Sequence, residues 1–219
     1  GFSIKVKKQM FPPFKENFFD GVYLNGLPGE SIGKSDPVVI DIGGNVGFFS
    51  LFVLSNYPKA KVFTYEPMPF NFSQLKAYNK NYNDFDWTIE NKAVSKNSDG
   101  TTLYAATLDD FATMSTIRAD FGRHKKIDVA TISLNEIVEK YSLGNIDLLK
   151  LDCEGSEYTI LYNTSDECFS RINKMTIETH LVDEQGNKHM ALVAFLKGKG
   201  FQLTHEEVKA DSGYIWAWR

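Results

Sequence analysis

Cysteine is nearly missing from this chain. Cys153 and Cys168 are the only two among 219 residues, too few for a disulfide framework and without a second pair at metal-ligand spacing, so two free thiols are expected. Long hydrophobic runs are also lacking. No apolar stretch approaches the roughly 20 residues that span a bilayer, and no secretory pattern opens the sequence, which points to a cytoplasmic protein without a membrane span. Positive charge is the third shortage: 24 Lys and Arg against 28 Asp and Glu give a formal net charge of -4. Nothing global therefore attracts a polyanion, and nucleic acid is not an expected partner. The local run of Lys5, Lys7, Lys8 and Lys15 reads as a solvated face.

Repeats, low-complexity tracts and interdomain linkers are absent as well. The expectation is a single domain over residues 1–219, with 1–36 as an N-terminal extension or lid and 37–219 as the core. Gly1 in place of Met leaves a preceding segment open. With 42% hydrophobic and 14% aromatic residues, the chain can bury one substantial core without metals or disulfides.

The most informative stretch is Val38-Val39-Ile40-Asp41-Ile42-Gly43-Gly44-Asn45-Val46-Gly47 followed by Phe48-Phe49-Ser50, a buried strand entering a glycine turn and then an apolar helix. Gly43 and Gly44 can take backbone angles that a side chain forbids, and Gly47 lets the helix approach its strand. Glu66 ends the next strand, placed to accept hydrogen bonds from ribose hydroxyls. Together these features predict a nucleoside-cofactor pocket. The turn does not spell the Gly-x-Gly-x-x-Gly dinucleotide fingerprint, and Asp41 beside it disfavours a phosphate. An acid there suits a cofactor with an ammonium group, such as S-adenosylmethionine, which also carries a sulfonium.

Prolines make residues 1–36 irregular by expectation, with Phe11, Phe14, Phe18 and Phe19 either packing on the core or closing over a ligand. From Val38 onward, strands at Val38–Ile42, Lys61–Tyr65 and Trp87–Asn91 alternate with helices near Val46–Ser55 and Phe70–Tyr82, the pattern of a mostly parallel sheet covered on both faces. Thr101–Ala105, Ser115–Arg118 and Ile127–Thr131 read as a β-hairpin excursion. Regular alternation then returns: a helix around Leu134–Tyr141, a strand Ile146–Leu151, a helix around Tyr158–Asn163, a strand Lys174–His180 and a helix Leu192–Lys199. The tail alternates as two half-buried strands, Phe201–Thr204 and Tyr214–Trp218, around a polar loop at Glu206–Gly213. Such a terminal pair makes one strand antiparallel to the rest.

Two further strand ends carry titratable groups. Asp147-Leu148-Leu149-Lys150-Leu151-Asp152-Cys153-Glu154-Gly155-Ser156-Glu157 delivers Asp152, Glu154 and Glu157 around one glycine, where crowded carboxylates repel and shift one another's pKa values. Asp152 and Glu154 read as functional, Glu157 as a helix cap. Met175-Thr176-Ile177-Glu178-Thr179-His180 puts Glu178 and His180 on one side of a strand. A histidine near its ordinary pKa of about 6.5, oriented by an acid, would suit removal of a hydroxyl proton. Pro67 follows the ribose acid, and Asn91-Lys92-Ala93-Val94 lies where an adenine ring could be bordered by Ala93.

These residues carry a resemblance. The segments 41–47, Glu66-Pro67-x-Pro69-x-Asn71-Phe72, Asn91-x-Ala93-Val94, Thr131-Ile132-Ser133-Leu134, 147–157 and Ile177-Glu178-x-His180 occur in order, and over about Val38–Trp218 the chain resembles the FkbM-like S-adenosylmethionine-dependent O-methyltransferases. The resemblance implies a Rossmann-like class I methyltransferase fold, α/β with a seven-stranded mostly parallel sheet, an antiparallel terminal strand and helices on both faces. It implies methyl transfer to a hydroxyl of a sugar, glycan or natural product, with S-adenosylhomocysteine as the other product. The cofactor-binding set is then Asp41, Gly43, Gly44, Asn45, Gly47, Glu66, Pro67, Ala93 and Asp152, and the catalytic set Asp152, Glu154, Glu178 and His180. Gly44 stands where the family often carries Ala, and both being small, no consequence is expected. A divalent metal is possible but not expected, with Asp152 and Glu178 as the oxygen donors it would use. The rival readings are a nicotinamide oxidoreductase, against which the loop speaks, and a non-catalytic S-adenosylmethionine-binding sensor or interaction domain. Acceptor identity and oligomeric state are not legible in the sequence.

Overall fold

The computed structural model describes residues 3–105, 115–116, 125–181, 188–209 and 212–219. The N-terminal segment is irregular, as expected, outside residues 8–20 and a single 3-10 turn at Pro28–Glu30, and within 8–20 Pro12 and Pro13 do not prevent a short helical run. They occupy the first turn of α1 (Phe11–Lys15), where their missing N–H groups have no helical partner to lose. A 3-10 turn at Lys8–Met10 and a wider π turn at Glu16–Asp20 extend the helical run, which Gly21 ends in the left-handed region at φ 63°. Two of its aromatics pack inward, Phe14 meeting Phe48 edge-on at 5.4 Å and Phe18 meeting Phe52 at 5.7 Å between ring centroids, whereas Phe11 and Phe19 are exposed.

The core follows as β1 (Val38–Ile42), α2 (Phe48–Asn56), β2 (Lys61–Tyr65), α3 (Pro69–Asn81), β3 (Asp86–Glu90) and β4 (Ala93–Ser95). The excursion consists of β5 (Thr101–Ala105), β6 (Ser115–Thr116) and β7 (Lys125–Val129), a separate antiparallel sheet; the expected continuation to Arg118 lies outside the described residues. Then come β8 (Thr131–Ser133), α4 (Leu134–Lys140), β9 (Leu148–Leu151), α5 (Glu157–Tyr162), α6 (Asp166–Ser170), β10 (Lys174–Thr179), α7 (His189–Gly198), β11 (Gln202–Lys209) and β12 (Ser212–Trp218). Ser133 and Glu136 close a reciprocal capping box at the start of α4, satisfying two backbone donors that a helix start leaves over.

Seven strands form one sheet in the order β11-β12-β10-β9-β1-β2-β3. β12 alone runs against its neighbours β10 and β11, whereas β1 pairs in parallel with β2 and β9. The tail strands are longer than expected. The stretch taken as a polar loop at Glu206–Gly213 is mostly strand, with a register shift between Glu207 and Lys209.

Burial on both faces explains why β1 and β9 are apolar except for Asp41 and Lys150, which pair with each other. Ile40, Ile42, Leu149 and Leu151 pack with α4, α5 and α7 on one face, while Val39, Val62 and Leu148 pack with α2, α3 and the N-terminal aromatics on the other. The strand order reverses between β1 and β9, and open α/β sheets place ligands outside the carboxyl ends of strands at such a switch point. Among the described residues no helix is long and apolar enough to cross a membrane.

Candidate functional site

The turn after β1 is pressed against the end of β9. Gly43 has φ +76°, and a Cβ there would stand 1.7 Å from the Asp152 carbonyl oxygen. Both Gly43 and Gly44 donate their N–H groups to the Tyr65 carbonyl at 3.0 and 2.9 Å. Gly44 does not need a positive φ. It needs space, because a Cβ would lie 2.1 Å from Thr64 Cγ2. Gly47 has φ +92°, and its missing side chain makes room for Leu75 of α3 at 2.6 Å and for Trp87, so it serves a neighbouring helix rather than its own strand.

Asp41 is placed differently from the expectation. Its side chain is completely buried: Oδ2 accepts from Ser50 Oγ at 2.7 Å and Oδ1 lies 3.2 Å from Lys150 Nζ. Lys150, itself 3% exposed, also donates to the Gly43 carbonyl at 2.8 Å and lies 3.6 Å from Asp152 Oδ2. Burial alone would lower the Lys150 pKa, but Asp41 and Asp152 outweigh it and hold the ammonium charged. The acid beside the glycine turn thus anchors a buried lysine that ties β1, β9 and the turn together.

Glu66 sits at the end of β2 in a recess bordered by Gly43, Asn45, Pro67, Asn71, Ala93, Val94 and Leu103. Its two oxygens accept from the backbone N–H of Asn45 and of Met68, each at 2.8 Å. Burial pushes the carboxyl up to about 8 despite these donors. Asn91 holds the recess from outside, donating to the Glu66 and Pro67 carbonyls at 2.8 and 3.0 Å. Asn45, in the left-handed region at φ 51°, carries a buried side-chain oxygen without a hydrogen-bond donor among the described residues.

A second cavity of about 500 Å³ opens beside the recess and takes in Glu16, Tyr23, Phe49, Lys150, Asp152, Glu154, Glu178 and His180. Gly43, Asn45, Asp152 and Glu154 border both spaces. Glu154 reaches the junction through a strained turn, with Glu154 at φ 53° and Gly155 at φ 105°, a non-glycine conformation that persists only where its surroundings enforce it.

Glu157 does not cap α5, as was expected of it: no side chain caps that helix, and the Glu157 carboxylate turns to groups outside it. Fully buried at the start of α5, it accepts from the Cys153 N–H at 2.9 Å and takes His180 Nδ1 at 3.0 Å. Burial would lower the His180 pKa, but this hydrogen bond and the charges of Glu157, Asp152 and Glu154 push it up to about 10. At neutral pH the ring is an imidazolium, which corrects the expectation of a histidine free to accept a proton. The neighbouring acids are pushed up as well, which favours their uncharged form: burial raises Glu154 to about 7 and Glu178 to about 8, His180 partly offsetting both.

Of the expected residues, the recess gathers Gly43, Asn45, Glu66, Pro67, Ala93 and Asp152, and the second cavity gathers Gly44, Asp152, Glu154, Glu178 and His180, whereas Asp41 and Gly47 support from behind. Sequence reasoning missed Lys150, Tyr23 and Glu16. A lysine inside the apolar run Leu148–Leu151 was a readable signal, since a buried amine demands an acid. Tyr23 had none: its hydroxyl donates to Asp152 Oδ2 at 2.8 Å across 129 residues of sequence.

A family model described as the methyltransferase FkbM domain matches residues 41–203. The chain is 27% identical over 235 residues to the methyltransferase sdnD of Sordaria araneosa, covering 94% of this chain and 86% of that protein. It is 26% identical to the 31-O-demethyl-FK506 methyltransferase FkbM of Streptomyces tacrolimicus, covering 89% of this chain and 82% of that one. Among solved structures, the methyltransferase FkbM of Methylobacillus flagellatus KT superposes with a TM-score of 0.61 at 14% identity, over 90% of this chain and 48% of that chain. This chain thus spans about half of that structure's length.

Proposed function

Because the chain belongs to the FkbM methyltransferase family, we propose that it moves a methyl group from S-adenosylmethionine to a hydroxyl oxygen of a small-molecule or glycan acceptor, leaving S-adenosylhomocysteine. The observation that carries this reading is the junction at Gly43, Asn45, Asp152 and Glu154, which border both the recess and the acidic cavity. A donor in the first and an acceptor in the second would meet there.

S-adenosylmethionine supplies an electrophilic methyl group on a sulfonium centre. The recess suits its nucleoside: each Glu66 oxygen keeps a lone pair beyond the backbone donor it already serves, enough for two ribose hydroxyls, and Ala93, Val94 and Leu103 offer an apolar wall to a flat ring. Asn45 Oδ1 adds an unused acceptor. Asp41 acts at one remove, fixing Lys150 and through it the Gly43 carbonyl. In the transfer, the acceptor oxygen gains a bond to the methyl carbon as the sulfur–carbon bond breaks, and the hydroxyl proton passes to a carboxylate. Glu154, at the junction and near pKa 7, is matched to that task at neutral pH. His180 balances the charge of the acids around it. The relative from Streptomyces tacrolimicus, named for methylation of a 31-O-demethyl acceptor, supports oxygen as the receiving atom.

Calorimetry should show binding of S-adenosylmethionine and S-adenosylhomocysteine. Incubation with methyl-labelled donor and a pool of hydroxylated metabolites and glycans, read by mass spectrometry, should yield a labelled ether. Glu154→Gln should lower turnover of that acceptor on the order of 10²–10⁴-fold with S-adenosylhomocysteine binding retained. Tight nicotinamide dinucleotide binding without either adenosyl compound would overturn the cofactor, and a label found only on nitrogen or carbon would overturn the receiving atom.

A further inference from the structure

Asp152, Glu178 and His180 each offer a ligand atom to one point, all within 4.8 Å of one another. β9 and β10 lie side by side in parallel register, Leu151 opposite Ile177, so the residues just beyond their ends converge. What distinguishes this group from a crowd of surface acids is how its ligating atoms are prepared. Glu157, fully buried, occupies Nδ1 of His180 at 3.0 Å and leaves Nε2 turned to the carboxylates, 3.9 Å from Glu178 Oε1 and 3.6 Å from Glu154 Oε2. A carboxylate behind a histidine is the arrangement that fixes ring orientation and basicity in metal-ligating histidines. Tyr23 performs the matching service for the acids. Its hydroxyl donates to Asp152 Oδ2 at 2.8 Å and lies 3.5 Å from Glu178 Oε2, which leaves the other oxygen of each uncommitted to it.

We propose that Asp152, Glu178 and His180 bind one divalent first-row transition-metal cation facing the acidic cavity. The cation would take the place of the His180 Nε2 proton and assume its role of balancing the acids, and one imidazole nitrogen with two carboxylate oxygens suits Mn²⁺, Fe²⁺, Co²⁺ or Zn²⁺ better than Ca²⁺, which prefers all-oxygen shells. The three residues line the cavity assigned to the acceptor, so the open coordination positions would face it. An acceptor presenting two adjacent oxygen donors, a diol or hydroxy-carbonyl unit, would be gripped there beside Glu154. This role in acceptor binding rests on the methyltransferase reading; the cation site itself does not.

Mn²⁺ is the probe. Chelator-treated, dialysed protein is titrated with Mn²⁺ by electron paramagnetic resonance, with S-adenosylhomocysteine binding measured in parallel by calorimetry. One Mn²⁺ per chain is expected, binding well below millimolar concentration and at least tenfold weaker in Glu178→Gln and in His180→Gln. Glu157→Gln, which touches no ligand position, should weaken it 10–100-fold. Failure of a protein that still binds S-adenosylhomocysteine to take up Mn²⁺ saturably would overturn the site, as would unchanged Mn²⁺ affinity in Glu178→Gln and His180→Gln variants shown to be folded by circular dichroism. Mn²⁺ binding without adenosyl binding would instead overturn the cofactor reading and leave the cation site standing.

Discussion

Glu66 holds two backbone donors and is buried enough to carry a pKa of about 8. Ribose hydroxyls hydrogen-bond more strongly to the carboxylate than to the acid, so ligand binding must first drive off a proton below that pH. The sign follows by linkage: the Glu66 contribution to adenosyl affinity should rise with pH up to about 8 and level off above it. Glu66→Gln resembles the protonated acid and isolates the effect. The ratio of wild-type to Glu66→Gln affinity for S-adenosylhomocysteine, which cancels titration of the ligand's own groups, should stand near one at pH 6 and grow about tenfold or more by pH 9. A flat ratio across that range would place the ribose elsewhere. Glu66 was legible because an acid at a second strand end, after a glycine turn, has few structural reasons to be there. Asp41 was legible as an acid but not in its role, because the partner that claims it, Lys150, lies 109 residues later.

At the scale of elements, the glycine turn shows how much a loop depends on what is pressed against it. Gly44→Ala looks neutral from sequence. In this chain the new methyl would meet Thr64 Cγ2, and Thr64 cannot swing aside, since it is buried with Oγ1 within 2.6 Å of Ser50 Oγ and accepting from Trp87 Nε1 at 2.8 Å. Overpacking of this kind costs about 1–3 kcal/mol. Urea unfolding should show that loss in Gly44→Ala and its recovery when Thr64→Ser, which removes Cγ2 and keeps the hydroxyl, is combined with it; a double mutant no better than the single would disprove the clash. The N-terminal helical run teaches the converse. Its prolines read as breakers, yet at the first turn they are tolerated, and only the packing of Phe14 and Phe18 on α2 decides that a helix forms there.

For the whole molecule, one sheet with cores on both faces argues that residues from the N-terminal run to β12 unfold together. Tyr23 reaches Asp152, Trp216 donates to the Val22 carbonyl at 2.9 Å, Lys174 donates to the Ser31 carbonyl at 2.7 Å and Thr204 donates to the Gly26 carbonyl at 2.8 Å, so the first segment is bound to the sheet at several places. We therefore propose that the described residues form a single domain. Scanning calorimetry should give one transition with calorimetric and van't Hoff enthalpies in agreement, and two separable transitions would divide the extension from the core. The sequence by itself determined the alternation of strands and helices, the glycine turn, the acid at the end of β2 and the other strand-end carboxylates, because hydrophobic period and turn chemistry are local properties. Tertiary structure alone decided which of those acids face open space, that His180 is charged by Glu157, and that Tyr23 and Lys150 belong to the site. Ionisation and exposure depend on what is brought near by folding, and neighbours more than a hundred residues apart leave no periodic trace in a single chain.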